Sequence, residues 1–247
     1  MSTRIALVTG GIGGIGTSIC QRLARDGYRV VAAYHPAEQG NVEAWVAARK
    51  AEGLDIGTLS GDVSSAEDSA RMVAELQQQF GPVDVLVNCA GITRDKTFRK
   101  MDAESWNAVI NVNLSSVYNV TRPCWDGMID RGWGRVINIS SVNGQRGQFG
   151  QTNYSAAKAG MHGFTMALAQ EGAAKGVTVN TVSPGYIKTA MTAAIREDVL
   201  KAIIDGIPMK RMGTPEEIAA VVAFLASDDA AYITGANLQM NGGLFMH

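Results

Sequence analysis

Short apolar runs alternate along the chain with longer amphipathic stretches: Ile5 to Val8, then Ile15 to Asp26, then Val30 to Ala33, then a helical pattern through Trp45 to Glu52. A short run apolar on both faces suits a strand inside a parallel sheet, whereas apolar positions three and four apart suit a helix with one buried stripe. Further strands are predicted over Asp55 to Leu59, Val83 to Asn88, Arg135 to Ser140, Thr178 to Val182 and Asn237 to Met240. Helix starts between them are marked by Ser64-Ser65-Ala66-Glu67, Asp102-Ala103-Glu104-Ser105 and Thr214-Pro215-Glu216-Glu217, which offer a capping oxygen followed by early carboxylates. The strand–helix alternation runs to the end and predicts an α/β fold, a doubly wound parallel seven-stranded sheet with helices on both faces. No linker, low-complexity tract or further repeat interrupts residues 1–247, so a single domain is expected. The irregular stretch is Pro184 to Gly213, where Pro184-Gly185, Pro208, Met191, Met209 and Met212 surround a short helical segment. A mobile flap and a packed excursion are both open readings of it.

Composition narrows the class. At 247 residues, with 46% hydrophobic and 18% charged residues, the chain can bury one large core and falls among globular proteins. Lys and Arg total 22 against 23 Asp and Glu, a balance that argues against nucleic acid or an anionic membrane surface as partner. The longest apolar run, Ile218 to Ala226, falls well short of the ~20 residues that span a bilayer, and Met1-Ser2-Thr3-Arg4 lacks the layout of a signal peptide. Cys20, Cys89 and Cys124 form no CxxC pair and leave an odd count, which suits a reducing compartment; a cytoplasmic location is expected, and no metal-ligand cluster stands out.

Two motifs carry chemistry. Thr9-Gly10-Gly11-Ile12-Gly13-Gly14-Ile15-Gly16 follows the first strand and opens a helix, so its glycines allow a tight turn and close approach of a pyrophosphate to the helix N–H groups. Asp62-Val63, placed at the close of the third strand, offers a carboxylate for an adenine amino group or, alternatively, a cap for the next helix. Asn88-Cys89-Ala90-Gly91 ends the fourth strand at the carboxyl edge, where open α/β sheets bind ligands. Tyr154-Ser155-Ala156-Ala157-Lys158 puts a phenol and an ammonium one helical turn apart on one face. An ammonium near a phenol favours phenolate, and the expectation is that Lys158 lowers the Tyr154 pKa.

Ser141 precedes Tyr154 by thirteen positions and Asn113 lies in the helix before it. Together with Thr9 to Gly16, Asp62-Val63, Asn88 to Gly91 and Pro184-Gly185, in that order and spacing, these residues resemble the short-chain dehydrogenase/reductase family in its single-domain, Rossmann-fold form, over essentially the whole chain. The resemblance implies Asn113, Ser141, Tyr154 and Lys158 as the catalytic set. Tyr154 would be the proton donor, Ser141 would orient the carbonyl oxygen, Lys158 would bind the nicotinamide ribose, and Asn113 would hold a relay water. Ser140 competes with Ser141, which the family spacing favours. The cofactor would lie on Gly10, Gly13, Gly14, Ile15, Gly16, Tyr34, Asp62, Val63, Asn88, Ala90 and Gly91, with Tyr154, Lys158, Pro184, Gly185, Ile187 and Thr189 at its nicotinamide end. Two departures stand out: Cys89 replaces a common asparagine, and Gly13 stands where many NADPH-using members carry a basic residue. The segment Ala33 to Gly40 has no arginine for a 2′-phosphate and no acid at Tyr34 for a ribose diol. NADH and NADPH both remain open, with a lean to NADH because an uncompensated dianion is costly.

The loop from Val142 to Asn153 must border the reacting carbonyl. Its composition, together with Gly91 to Asp95, Asp130 to Arg135 and Ser183 to Tyr186, resembles the bacterial members that reduce acetoacetyl-CoA for polyhydroxybutyrate synthesis, which implies an acyl-CoA substrate contacted by Ser141, Gln148, Phe149, Gln151, Tyr154 and Tyr186, and an (R)-3-hydroxybutyryl-CoA product. Solvated loop glutamines are the plain alternative. The runner-up activity is reduction of 3-oxoacyl groups on acyl-carrier protein, and a non-catalytic dinucleotide sensor is the third reading. Small residues crowd Tyr154 to Ala174, and the resemblance implies pairing of such helices into a homotetramer; packing within one subunit is the alternative.

Overall fold

In the computed structural model, which describes residues 3–189, 192 and 196–246, the apolar runs form one parallel sheet. Its strands are β1 (Ile5–Thr9), β2 (Arg29–Tyr34), β3 (Gly57–Ser60), β4 (Val85–Asn88), β5 (Gly134–Ile139), β6 (Val177–Pro184) and β7 (Asn237–Met240). They lie in the order β3-β2-β1-β4-β5-β6-β7. Period-two alternation sends neighbouring side chains to opposite faces. Ala6, Val8, Val30 and Ala32 pack with Ile19, Leu23 and Val222 from α1 (Gly14–Arg25) and α9 (Pro215–Ala226). Ile5, Leu7, Val31 and Ala33 pack with Met72, Leu76, Val120 and Met128 from α3 (Ala66–Gln79) and α5 (Ser116–Arg131), and Ala169 of α7 (Thr152–Gly172) joins that second core. Each fully buried leucine or isoleucine contributes roughly 1.5–3 kcal/mol, so both layers are held by the same mechanism.

The remaining helices are α2 (Gln39–Ala51), α4 (Ala103–Ile110), α6 (Asn143–Arg146) and α8 (Glu197–Gly206). Of the expected helix starts, Ser65 caps α3, Asp102 caps α4 and Thr214 caps α9, each accepting a backbone N–H three residues on. Differences from expectation have local causes. A 3-10 turn, Pro36–Glu38, leads straight into α2, which therefore starts at Gln39; among its residues only Val42 is buried, so no apolar stripe marks the onset. β3 pairs with β2 only from Gly57 onward. Between α4 and α5, residues Asn111–Ser115 form a π-helical turn.

The excursion after β6 is closed at its base: Ile187 and Gly213 form a parallel bridge, with Lys188 N–H donating to the Gly213 carbonyl at 2.9 Å. Met212 is buried and Met209 is exposed, while Met191 lies outside the described residues. Among the described residues no helix is long and apolar enough to cross a membrane, and the three cysteines are free thiols.

Candidate active site

Strand order reverses between β1 and β4, and a cavity of about 1100 Å³ opens at the carboxyl ends of the strands there, the position at which open α/β sheets bind ligands. The glycine turn forms one end. Gly10 sits at φ +62°, a side chain at Gly10 would meet the Ala90 backbone at 3.0 Å, and a Cβ on Gly16 would lie 2.1 Å from the Gly10 carbonyl oxygen. Thr9 Oγ1 accepts from the Cys89 and Ala90 N–H groups at 3.0 and 3.1 Å, locking the turn to the end of β4. α1 begins after Gly13 with no side-chain cap, so its first N–H groups face the cavity as an anion cradle. Thr189 stands over Gly14, with its Cγ2 3.1 Å from where a Cβ would be.

The other end holds the phenol. Tyr154 and Lys158 lie one turn apart in α7, with Lys158 Nζ 5.6 Å from the Tyr154 ring centroid. Ser141, two residues past β5, lines the same cavity as Tyr154 and accepts from the Asn143 N–H at 3.1 Å. Lys158 is 3% exposed and its Nζ donates to the Ile139 carbonyl at 2.8 Å. Asn113, in the π turn, donates from Nδ2 to the Ile92 and Val109 carbonyls, each at 2.9 Å. Its Oδ1 is buried without a partner, and a side chain on Gly91 would lie 2.6 Å from that oxygen and 3.6 Å from Lys158 Nζ. Burial pushes the phenol up to about 12, against the downward pull of the Ser141 side chain. Burial likewise draws Lys158 down to about 8. The acidification of Tyr154 expected from Lys158 does not appear: burial is the largest influence on the phenol and raises it, and the groups that act on it are Ser141, Asp95 and Cys89.

A family model described as enoyl-(acyl carrier protein) reductase matches residues 10–245. The chain is 71% identical over 99% of its length, and 99% of the relative's, to the acetoacetyl-CoA reductase of Allochromatium vinosum. It is 58% identical, over the full length of both chains, to the acetoacetyl-CoA reductase of Cupriavidus necator. The 3-oxoacyl-[acyl-carrier-protein] reductase of Pseudomonas aeruginosa is 45% identical over 98% of each chain. The chain belongs to the short-chain dehydrogenase/reductase family.

Of the residues that membership in the short-chain dehydrogenase/reductase family implies for cofactor and substrate, nearly all line the one cavity, including Gly10, Gly13 to Gly16, Tyr34, Asp62, Val63, Ala90, Gly91, Pro184, Gly185, Ile187 and Thr189. Asn88 does not: its amide donates to Thr121 Oγ1 and Asn138 Oδ1 at 3.2 and 2.9 Å and is buried, so the proposed contact is corrected to a structural bond between β4, β5 and α5. Asp62 lies two residues beyond β3, and its carboxylate accepts from the Ser64 N–H and hydroxyl, while Ser65 is the cap of α3. Gln148, Phe149, Gln151 and Tyr186 line the cavity, with Phe149 87% exposed at its rim. The Gln151 amide already accepts from Asn143 Nδ2 at 3.0 Å and donates to Asp95 at 2.8 Å, so it braces the loop more than it reaches for ligand. Sequence reasoning missed the Ile139 carbonyl, which carries no side-chain signal, and Val199 and Ile203 of α8, whose four-residue spacing is the signal that could have found them.

Proposed function

We propose that the chain reduces acetoacetyl-CoA to (R)-3-hydroxybutyryl-CoA, in the cytoplasm, as a step of polyhydroxybutyrate synthesis, and that residues 1–247 act as one dinucleotide-binding and catalytic domain. The observation that carries the reading is that Ser141, Tyr154 and Lys158 line the same cavity as the glycine turn. The cradle fits a dinucleotide: Gly16 has no room for a side chain, and the uncapped start of α1 offers N–H groups to a pyrophosphate. Gly10 and Gly13 to Gly16 would hold the pyrophosphate, Asp62 and Val63 the adenine, Ala90 and Gly91 the adenosine ribose, and Tyr154 and Lys158 the nicotinamide ribose. Pro184, Gly185, Ile187 and Thr189 would seat the carboxamide. When bound there, a reduced nicotinamide dinucleotide supplies the hydride.

The chain's own residues handle the oxygen. Ser141 donates a hydrogen bond to the ketone, and Tyr154, held in its protonated form, delivers the proton to the oxygen as negative charge develops on it. The buried, unpartnered Asn113 Oδ1 beside Lys158 Nζ would accept from a water that returns the proton. Although the family model's description names an enoyl substrate, the relatives at 71% and 58% identity are named acetoacetyl-CoA reductases, which supports a ketone as the reacting group. Phe149 and Tyr186 would bound a short acyl pocket, with Gln148 near the thioester. We assign the homotetramer to the faces that carry Tyr118 and Met166, exposed on α5 and α7; sedimentation as a monomer would overturn that part. The main test compares turnover of acetoacetyl-CoA, an acetoacetyl carrier-protein thioester and crotonyl-CoA, followed by nicotinamide absorbance. Preference for the first is expected, and preference for either of the others refutes the assignment.

A further inference from the structure

Behind Lys158 lies a buried polar chain that the reaction does not use. Ser140, 4% exposed, donates from Oγ to the Lys158 carbonyl at 2.8 Å. Its oxygen lies 3.0 Å from His162 Nε2, and the same nitrogen lies 3.3 Å from Ser183 Oγ. Ser183, fully buried in β6, donates in turn to Asn237 Oδ1 of β7 at 2.7 Å.

Counting hydrogens fixes the direction of the chain. A hydroxyl has one hydrogen and a carbonyl oxygen has none. The Ser140 hydrogen is committed to the Lys158 carbonyl and the Ser183 hydrogen to Asn237, so both hydroxyl oxygens can only accept at His162. Nε2 must therefore carry a proton and donate to them. The consequence reaches the site because Lys158 is tied to two consecutive residues at the end of β5: its Nζ to the Ile139 carbonyl, its main-chain oxygen to Ser140. On the opposite side, α6 presses against the same point, since a side chain at Gly144 would lie 2.7 Å from the Lys158 carbonyl carbon.

We propose that His162 is a positioning residue for Lys158. By donating from Nε2 it holds Ser140 with its hydrogen turned to the Lys158 carbonyl, and so fixes the separation of α7 from β5 that sets Nζ below the Tyr154 ring. This rests on Lys158 serving the reduction proposed above; wild-type turnover of acetoacetyl-CoA tests that reading separately. His162→Leu removes the donor but keeps bulk, and His162→Gln restores an N–H donor at similar reach. His162→Leu is expected to lower kcat by about tenfold, the scale of a sub-ångström misplacement, with KM for acetoacetyl-CoA within about twofold of wild type. His162→Gln is expected to recover kcat to within about twofold of wild type by restoring the bond. Ser140→Ala, a smaller change, is expected to match His162→Leu, and the double variant to be no slower than either single one. Wild-type kcat in His162→Leu or Ser140→Ala, failure of His162→Gln to rescue, or additive losses in the double variant would each overturn the proposal.

Discussion

A phenol and an amine one helical turn apart do not set each other's protonation by proximity alone. Lys158 is buried and Tyr154 half-buried at the cavity wall, and burial penalises whichever form is charged: it raises the phenol to about 12 and lowers the amine to about 8. The spacing of the pair is visible in the sequence, but the depth of its burial is assembled from β4, β5 and α7 and cannot be read from five residues. Tyr154→Phe removes the donated proton and leaves the ring; kcat should fall by about 10²–10⁴-fold, while cofactor affinity measured by fluorescence titration should fall by no more than about tenfold, the loss of one ribose hydrogen bond. Lys158 has a stability consequence of definite sign. Below pH 8 it is protonated in both folded and unfolded chains, and burying the ammonium costs the fold, at about 1.4 kcal/mol per unit of pKa, about 3 kcal/mol. That cost disappears as pH rises from 8 towards 10.5, because only the unfolded chain still holds the proton. Urea unfolding should thus find Lys158→Met more stable than wild type at pH 7, with the gap narrowing by pH 10. A gap that is constant or widens would refute the assigned shift. Tyr154 opposes this only above pH 10, where its raised pKa makes stability fall with further increase in pH.

At the scale of elements, the strands and the capped helices were legible because each rests on local chemistry: apolar runs for β1, β2 and β4, and an oxygen three residues ahead of an N–H at Ser65, Asp102 and Thr214. The π turn was not, because the turn that presents Asn113 is held by bonds to Ile92 and Val109, one of them more than twenty residues away. The direction of the Asn88 side chain was hidden for the same reason: its partners, Thr121 and Asn138, come from α5 and β5. The glycine turn was legible as a motif, yet the reason each glycine is needed appears only in three dimensions. Gly16→Ala would set a methyl 2.1 Å from the Gly10 carbonyl, so the turn must open. We expect KM for the cofactor to rise by at least about tenfold, a loss of about 1.4 kcal/mol in binding, and unchanged KM would show that the cradle does not carry the pyrophosphate. By contrast, Thr214→Ala breaks the capping box of α9, away from the cradle. It should cost about 1 kcal/mol of stability in denaturant unfolding and leave KM for both substrates unchanged.

For the whole molecule, the remaining choice is between two cofactors that differ by one phosphate. The sheet delivers the end of β2 and the loop after β3 to the far end of the cavity, so that Tyr34, His35, Glu38 and Asp62 line it together with Gly13. Among the described lining residues the basic side chains other than histidine are Arg94 and Lys158, which belong to the loop after β4 and to α7. A 2′-phosphate would therefore meet the Glu38 and Asp62 carboxylates rather than a guanidinium, and like charges confined together repel. Glu38 is held in place, since its carboxylate accepts from the His35 N–H at 3.0 Å. A ribose diol, which carries no charge and can donate to a carboxylate, avoids that repulsion. On this ground we propose that NADH is favoured, with kcat/KM at least about tenfold higher than with NADPH, equivalent to about 1.4 kcal/mol. Glu38→Arg removes one carboxylate and supplies a bidentate phosphate partner, and should move the ratio toward NADPH by tenfold or more at about that energy. A wild-type preference for NADPH would mean that groups not evident at the end of β2 receive the phosphate, and would overturn the electrostatic argument.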